Sequence, residues 1–179
     1  MLTKIVFALS GIIFWTFLEY IIHRFFGHAK HGQGPIRKEH LMHHAKAHYF
    51  APMYKKGLLA LLVLSGSTFI MGLSAGWMNG LLFSTGLAGM YLLYESAHRL
   101  YHTHEPLVGY GLKMRKHHFY HHFVNPRYNH GVTTAFWDRL FNTYKASAQV
   151  PVPEKMAMPW LIEDETGLKL KYASDFRLV

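Results

Sequence analysis

Residues 57–97 read GLLALLVLSGSTFIMGLSAGWMNGLLFSTGLAGMYLLYESA, with Glu95 as the sole charge. Two apolar runs, 57–77 and 80–97, are separated by little more than Trp77-Met78-Asn79-Gly80, and each is about long enough to cross a hydrocarbon core. They read as a transmembrane hairpin with its turn at 77–80. Gly66, Ser67, Gly72, Gly76, Gly86 and Gly89 would let helices pack closely or leave a groove for a lipid chain, and packing is the commoner use of small residues. Toward the amino terminus, residues 5–22 form a further run, broken only by small hydroxyls and Glu19. A secretory leader has a shorter apolar core than this, so the run is read as a first span.

Charge orients the spans. Of the 19 Lys and Arg, Lys4 alone precedes the first span, seven lie in 24–56, none lies in the hairpin turn and eleven follow from Arg99 onward. Basic residues accumulate on the cytoplasmic side, which puts 24–56 and 98–179 there together. A formal net charge of +9 suits either nucleic acid or an anionic membrane surface, and the hydrophobic runs decide for the membrane, with no nucleic-acid partner. There is no cysteine, which removes disulfides and thiolate metal sites. The expectation is an all-α integral membrane protein, one domain over 1–179, multi-pass, with about three transmembrane helices (5–22, 57–77 and 80–97) and a cytoplasmic histidine-rich helical cap.

That charge argument uses no histidine, yet it delivers all 15 of them to the cytoplasmic ends of the spans or beyond. They fall in boxes. His118, His121 and His122 stand at i, i+3 and i+4, which places three imidazoles on one helical face, and His40, His43 and His44 repeat the spacing on a helix expected over 36–48, after a turn marked by Gly32, Gly34 and Pro35. Two pairs accompany them, His23 with His28 and His98 with His102. The second pair is i, i+4 and shares a face; the first is five apart, a poor helical spacing unless the chain bends at Gly27. Ten such histidines exceed the four or so ligands of one zinc-like site, so either two metals or one metal with many spectators is implied. Glu19 lies one turn before His23 and Glu95 lies three residues before His98. Each is a candidate acceptor for the outer N–H of a metal-bound imidazole. The competing readings are an interfacial charge for Glu19 and an i, i+4 pair with Arg99 for Glu95.

In order, the motifs are 19–28 (EYIIHRFFGH), 40–44 (HLMHH), 98–102 (HRLYH), 118–122 (HFYHH) and 129–141 (NHGVTTAFWDRLF). This series resembles the fatty acid hydroxylase and sterol desaturase superfamily of histidine-box membrane di-iron enzymes, nearest its fatty acid 2-hydroxylase branch, over roughly 12–144. The resemblance implies that His23, His28, His40, His43, His44, His98, His102, His118, His121 and His122 bind two iron ions at the cytoplasmic face, with no catalytic residue beyond these ligands. It implies O2 as co-substrate, a lipid substrate such as a fatty acyl chain, and an external electron donor of cytochrome b5 or ferredoxin type, since no His-Pro-Gly-Gly haem motif occurs and one earlier helix of longer relatives is expected to be missing. His31, His48, His104, His117 and His130 lie outside the matched ligand positions. His130 is kept as an outer partner because it falls in a matched block, and Trp137 and Asp138 are expected to close the cap. Asn142 stands where relatives often carry glycine, so a changed turn is expected there. The tail from Ala146, with Pro151, Pro153, Pro159 and the acidic run 163–165, is expected to be a packing arm or a docking surface for the donor.

Attack on an unactivated C–H bond is beyond side-chain acid, base or nucleophile chemistry, which is why an O2-activating iron centre is the expected cofactor. Hydroxylation of an acyl chain, including position 2, is the first reading; desaturation or hydroxylation of another lipid, sterol or carotenoid is the alternative. A divalent-metal transporter is the rival from another class, but transport sites lie near the bilayer midplane and no histidine falls at the middle of an expected span. A zinc hydrolase would leave most of the ten histidines idle, and a haem carrier would leave the triplets unexplained. Imidazole suits zinc as well as iron, and zinc binds more tightly than ferrous iron in the general affinity order. Overexpressed protein is therefore expected to emerge with zinc and without activity, as elemental analysis of the purified chain would show.

Overall fold

Long apolar runs without internal proline form long helices. The computed structural model describes residues 2–28, 34–163 and 167–179. Helix α1 spans Leu2–Ile21 and leads into a π-helical turn, Ile22–Gly27. Then come α2 (Pro35–Ala45), α3 (Met53–Ala75), α4 (Trp77–Thr103), α5 (Gly109–Phe123) and α6 (Phe136–Leu140). Four short strands follow: β1 (Val150–Val152), β2 (Ile162–Glu163), β3 (Gly167–Leu168) and β4 (Phe176–Leu178). Two compact units emerge, one from 1–19 with 51–95 and the other from 20–50 with 96–179, so α4 supplies residues to both.

Among the described residues, two helical stretches are long and apolar enough to cross a membrane, Leu2–Gly27, whose residues up to Glu19 lie in the first unit, and Met53–Ala75. The core of the first unit is Trp15, Phe83 and Leu87, while Leu58, Leu61, Leu62, Phe69, Ile70 and Leu73 of α3 and Leu81, Leu92 and Leu93 of α4 are exposed. An apolar outer face of this kind suits hydrocarbon rather than water. Several small residues serve packing. A Cβ on Gly11 would stand 2.0 Å from the Phe83 carbonyl oxygen, and one on Gly86 would stand 2.0 Å from that of Ala8. Between α3 and α4, Ser84 Oγ lies 2.9 Å from Ser67 Oγ and 2.7 Å from Thr68 Oγ1. The turn of the hairpin is shorter than expected. Trp77-Met78-Asn79-Gly80 already belongs to α4, and the chain breaks at Gly76 alone, whose φ of +92° a side chain would strain.

The chain is mostly helical, and the second unit adds four short strands to it. β1 pairs in parallel with β4, Val150 opposite Phe176 and Val152 opposite Leu178, and β2 pairs antiparallel with β3. The Val-Pro-Val alternation buries residues 150 and 152, and proline tolerates a two-stranded edge better than a helix interior. The tail is a packing arm. Its Trp160 and Phe176 rings lie 6.2 and 5.9 Å from that of Phe119 on α5, and Lys116 of α5 donates to Asp175 at 2.8 Å. Of the acidic run 163–165, only Glu163 lies within the described residues, as does Gly34 but not Gly32 of the expected turn before α2. Asn142 takes a left-handed conformation, φ +57°, which asparagine tolerates.

Gly86 and Gly89 separate packing from helix propensity. A Cβ at Gly89 meets nothing within 4 Å. Gly86→Ala is expected to lower stability by about 1–3 kcal/mol through overpacking. Gly89→Ala should be neutral or stabilising by up to about 1 kcal/mol. Thermal unfolding of both variants in detergent checks this.

Candidate metal centre

Ten imidazoles of the second unit converge in two groups. His23, His28, His40, His44 and His121 form the first, and His43, His98, His102, His118 and His122 the second; within each, the candidate ligand nitrogens all lie within 4.8 Å of one another. Among the described residues each group is histidine alone. In the first, Nε2 of His121 lies 2.8 Å from Nε2 of both His23 and His28, and Nε2 of His40 lies 2.8 Å from that of His28. In the second, Nε2 of His102 and of His118 are 3.0 Å apart.

Each triplet divides. On α2, His40 and His44 (i, i+4) serve the first group and His43 serves the second; on α5, His118 and His122 serve the second and His121 the first. The pairs do not divide, His23 and His28 going to the first group and His98 and His102 to the second. The rings of His44 and His122 stack at 4.1 Å, face to face across the two groups.

Local structure makes this possible. His23 and His28 are brought together by the π-helical turn, whose i→i+5 bonding aligns residues five apart, and not by a bend at Gly27. Gly27 has a different use: a Cβ there would sit 3.0 Å from the His40 ring. Helix α2 starts cleanly at Pro35, whose missing N–H costs nothing at a first helical position. The end of α4 is tied to α5 by the buried Arg115, which donates to the carbonyls of Leu100 (3.0 Å) and His104 (2.8 Å) while its guanidinium covers Tyr101 and Trp160. Nothing in the sequence pattern singles out Arg115.

Burial disfavours the charged form of most of these imidazoles, and the neutral form is the one that binds metal. It pushes His44 down to about 3 and His28 and His130 to about 4, and lowers His40, His118, His121 and His122 well below the ordinary histidine value; neighbouring histidines add to the effect for each of them. Nε2 of His44 and both ring nitrogens of His122 are buried with no hydrogen-bond partner among the described residues. Orphaned buried nitrogens are costly unless something binds them. Nitrogens 2.8 Å apart can both lie about 2.0–2.1 Å from one point, the usual distance from a metal to imidazole. The residues therefore fit a metal ion in each group.

The outer nitrogens bond to main chain. His23 Nδ1–H donates to the His130 carbonyl, His121 Nδ1–H to that of Tyr128 (2.7 Å) and His43 Nδ1–H to that of Tyr49 (2.7 Å). Each bond leaves Nε2 free to face its group. Of the two acids expected in this role, Glu95 pairs with Lys56 and not with Arg99, and Glu19 is buried. Arg99 instead covers the Phe50 ring at 4.4 Å. The His130 ring borders the first group, 5.2 Å from His121 and 5.5 Å from His23. His117 is buried on Asp138 (3.0 Å), His48 and His104 are exposed, and His31 lies outside the described residues.

Comparison with known proteins covers the stretch that holds the boxes. The model of the family described as fatty acid hydroxylase matches residues 8–143. The chain is 32% identical over 142 residues to fatty acid 2-hydroxylase of Mus musculus, covering 74% of this chain and 38% of the relative. It is 31% identical over 144 residues to the ceramide very long chain fatty acid hydroxylase SCS7 of Saccharomyces cerevisiae, covering 75% and 36%. The chain thus spans well under half the length of these curated relatives. A solved structure, full-length scs7p with only its hydroxylase domain visible, superposes with a TM-score of 0.60 at 27% identity, covering 81% of this chain and 57% of that one.

Low folded-state values for His28, His44 and His130 set a pH dependence. Between about pH 6.5 and 4 the unfolded chain binds protons that the folded, metal-free chain refuses, so stability is retained above this window and falls as pH is lowered through it. The Tm of chelator-treated protein should drop progressively from pH 7 to pH 4.

Proposed function

The chain belongs to the fatty acid hydroxylase family, and from this we propose that it is a membrane oxygenase that hydroxylates a fatty acyl chain, with carbon 2 of a fatty acid or acyl lipid as its target. The observation that carries the reading is the convergence of ten histidines into two groups of five with unsatisfied buried nitrogens. In this reading, His23, His28, His40, His44 and His121 hold one iron ion and His43, His98, His102, His118 and His122 the other. Iron held in this way supplies the O2 activation that insertion of oxygen into a C–H bond requires, with electrons from a cytochrome b5 or ferredoxin type of donor.

The protein's own groups supply position, protonation state and exclusion of water. The Nδ1–H bonds of His23, His43 and His121 to main-chain carbonyls fix the tautomer that turns Nε2 inward. His102, His118 and His121 have no solvent exposure. A dry site protects a reactive centre from side reactions with water. A lipid substrate agrees with the exposed apolar faces of α1, α3 and α4, which we read as three spans with 24–56 and 98–179 on the cytoplasmic face. An acyl lipid can keep its polar head near that face while its chain stays in the bilayer.

Lipid mass spectrometry of cells expressing the chain, beside His121→Ala and His122→Ala variants, tests the proposal. A gain of one oxygen on an acyl chain, lost in both variants, is expected. Loss of two hydrogens would convert the reading to desaturation. An unchanged lipid profile from iron-loaded protein with a working donor would count against an oxygenase, and a rise in cellular metal uptake would favour transport.

A further inference from the structure

Resting on the reading that the first histidine group holds a metal ion, we propose that residues 128–131, clamped by Asp138 and Asn129, are a positioning frame for that centre and not for the second. The outer nitrogens of two ligands from different parts of the chain, His121 and His23, both end on this short segment, on the carbonyls of Tyr128 and His130. These are alternate residues. Asn129 between them takes a left-handed φ of +60°. The second group is anchored elsewhere, His43 on the carbonyl of Tyr49.

The segment is held from two sides. Asn129 brackets Lys145, its side-chain amide donating to the Lys145 carbonyl (2.9 Å) and its Oδ1 accepting from the Lys145 N–H (2.8 Å), while its own N–H donates to the Thr143 carbonyl (2.8 Å). Asp138 has no solvent exposure and accepts four hydrogen bonds: from the N–H of His130 (2.9 Å) and of Gly131 (2.7 Å), from Thr143 Oγ1 (2.8 Å) and from His117 Nε2 (3.0 Å). Burial alone would raise its carboxyl, but these bonds hold it below the usual carboxylate range. Gly131 is the residue that permits this approach, since a Cβ would stand 2.0 Å from the Thr134 carbonyl oxygen and 3.1 Å from Asp138 Oδ2. Asp138 therefore fixes His130 at its N–H while the carbonyl of the same residue orients His23. It touches no candidate ligand and acts through the peptide of residue 130.

Asp138→Asn is the direct perturbation. It replaces one acceptor oxygen by an NH2 group that cannot accept from a backbone N–H, and so loosens one end of the frame. Zn2+ binding to the detergent-purified full chain, stripped of metal and titrated, gives a readout independent of turnover. Wild-type protein is expected to bind two equivalents. In Asp138→Asn one equivalent should stay tight and the other weaken by roughly 10–100-fold, the usual effect of losing an outer-shell partner. Double variants locate the loss: with His23→Ala the Asp138→Asn change should remove nothing more, and with His98→Ala it should leave no tight site. Asn129→Gly keeps the left-handed backbone while deleting both side-chain bonds to Lys145, and serves if Asp138→Asn fails to fold; it should weaken the same equivalent. Two wild-type-like equivalents in either variant, or equal weakening of both, would overturn the frame while leaving the metal reading intact. A wild-type chain that binds no zinc would overturn both.

Discussion

The structure depends on keeping ten imidazoles, buried or half-buried, aimed at one another. A histidine in water carries a proton about half the time near pH 6.5, and enclosing it without an acid partner removes that option. Nothing in either group compensates for charge, since each is histidine alone among the described residues. Bringing such nitrogens to 2.8–3.0 Å therefore demands a rigid surround, or the rings would turn to water. That surround is visible in three places: Arg115 binding the end of α4 to α5, the β-tail packed on Phe119 behind the same helix, and the clamped loop after α5.

The two groups are built by one rule applied twice. Each takes an undivided pair, the i and i+4 members of one triplet and the middle member of the other. α2 and α5 thus exchange roles, and the His44–His122 stack lies where the exchange crosses. A consequence is that neither helix can shift alone without disturbing both groups. The division of each triplet also explains why two H-x-x-H-H boxes are needed, since one triplet cannot furnish two centres with their i, i+4 ligands.

Much of this was legible in the sequence, for a physical reason. Periodicity reports which residues share a face, so the boxes, the long helices and the helical character of α2 and α5 could be read directly. Periodicity does not report which neighbour a face meets, so the division of each triplet between two groups could not be. The π-helical turn was hidden for a related reason: a five-residue spacing looks like a defect on an α-helix, and only the widened turn makes it a match. The strands of the tail were invisible because two- and three-residue strands carry too little alternation, although Val150 and Val152 are buried as completely as any residue in the chain. Glu19 and Glu95 were the plausible partners by chain distance, yet the outer nitrogens of His23, His43 and His121 found peptide carbonyls, which every residue carries and no pattern marks.

That choice of partner has an electrostatic meaning. A carboxylate behind a ligating imidazole fixes its tautomer and adds negative charge; a carbonyl fixes the tautomer and adds none. With carbonyls behind three of the ten rings, the proposed centres would keep most of the positive charge of their metal ions. Asp138 shows the same economy at one remove. Its charge is spent on two peptide N–H groups, a threonine and His117, and only the direction of a peptide is passed on to His23. Orientation is thus separated from charge. If the proposed centres accept electrons, such an arrangement favours it, because each added negative group would lower their reduction potential.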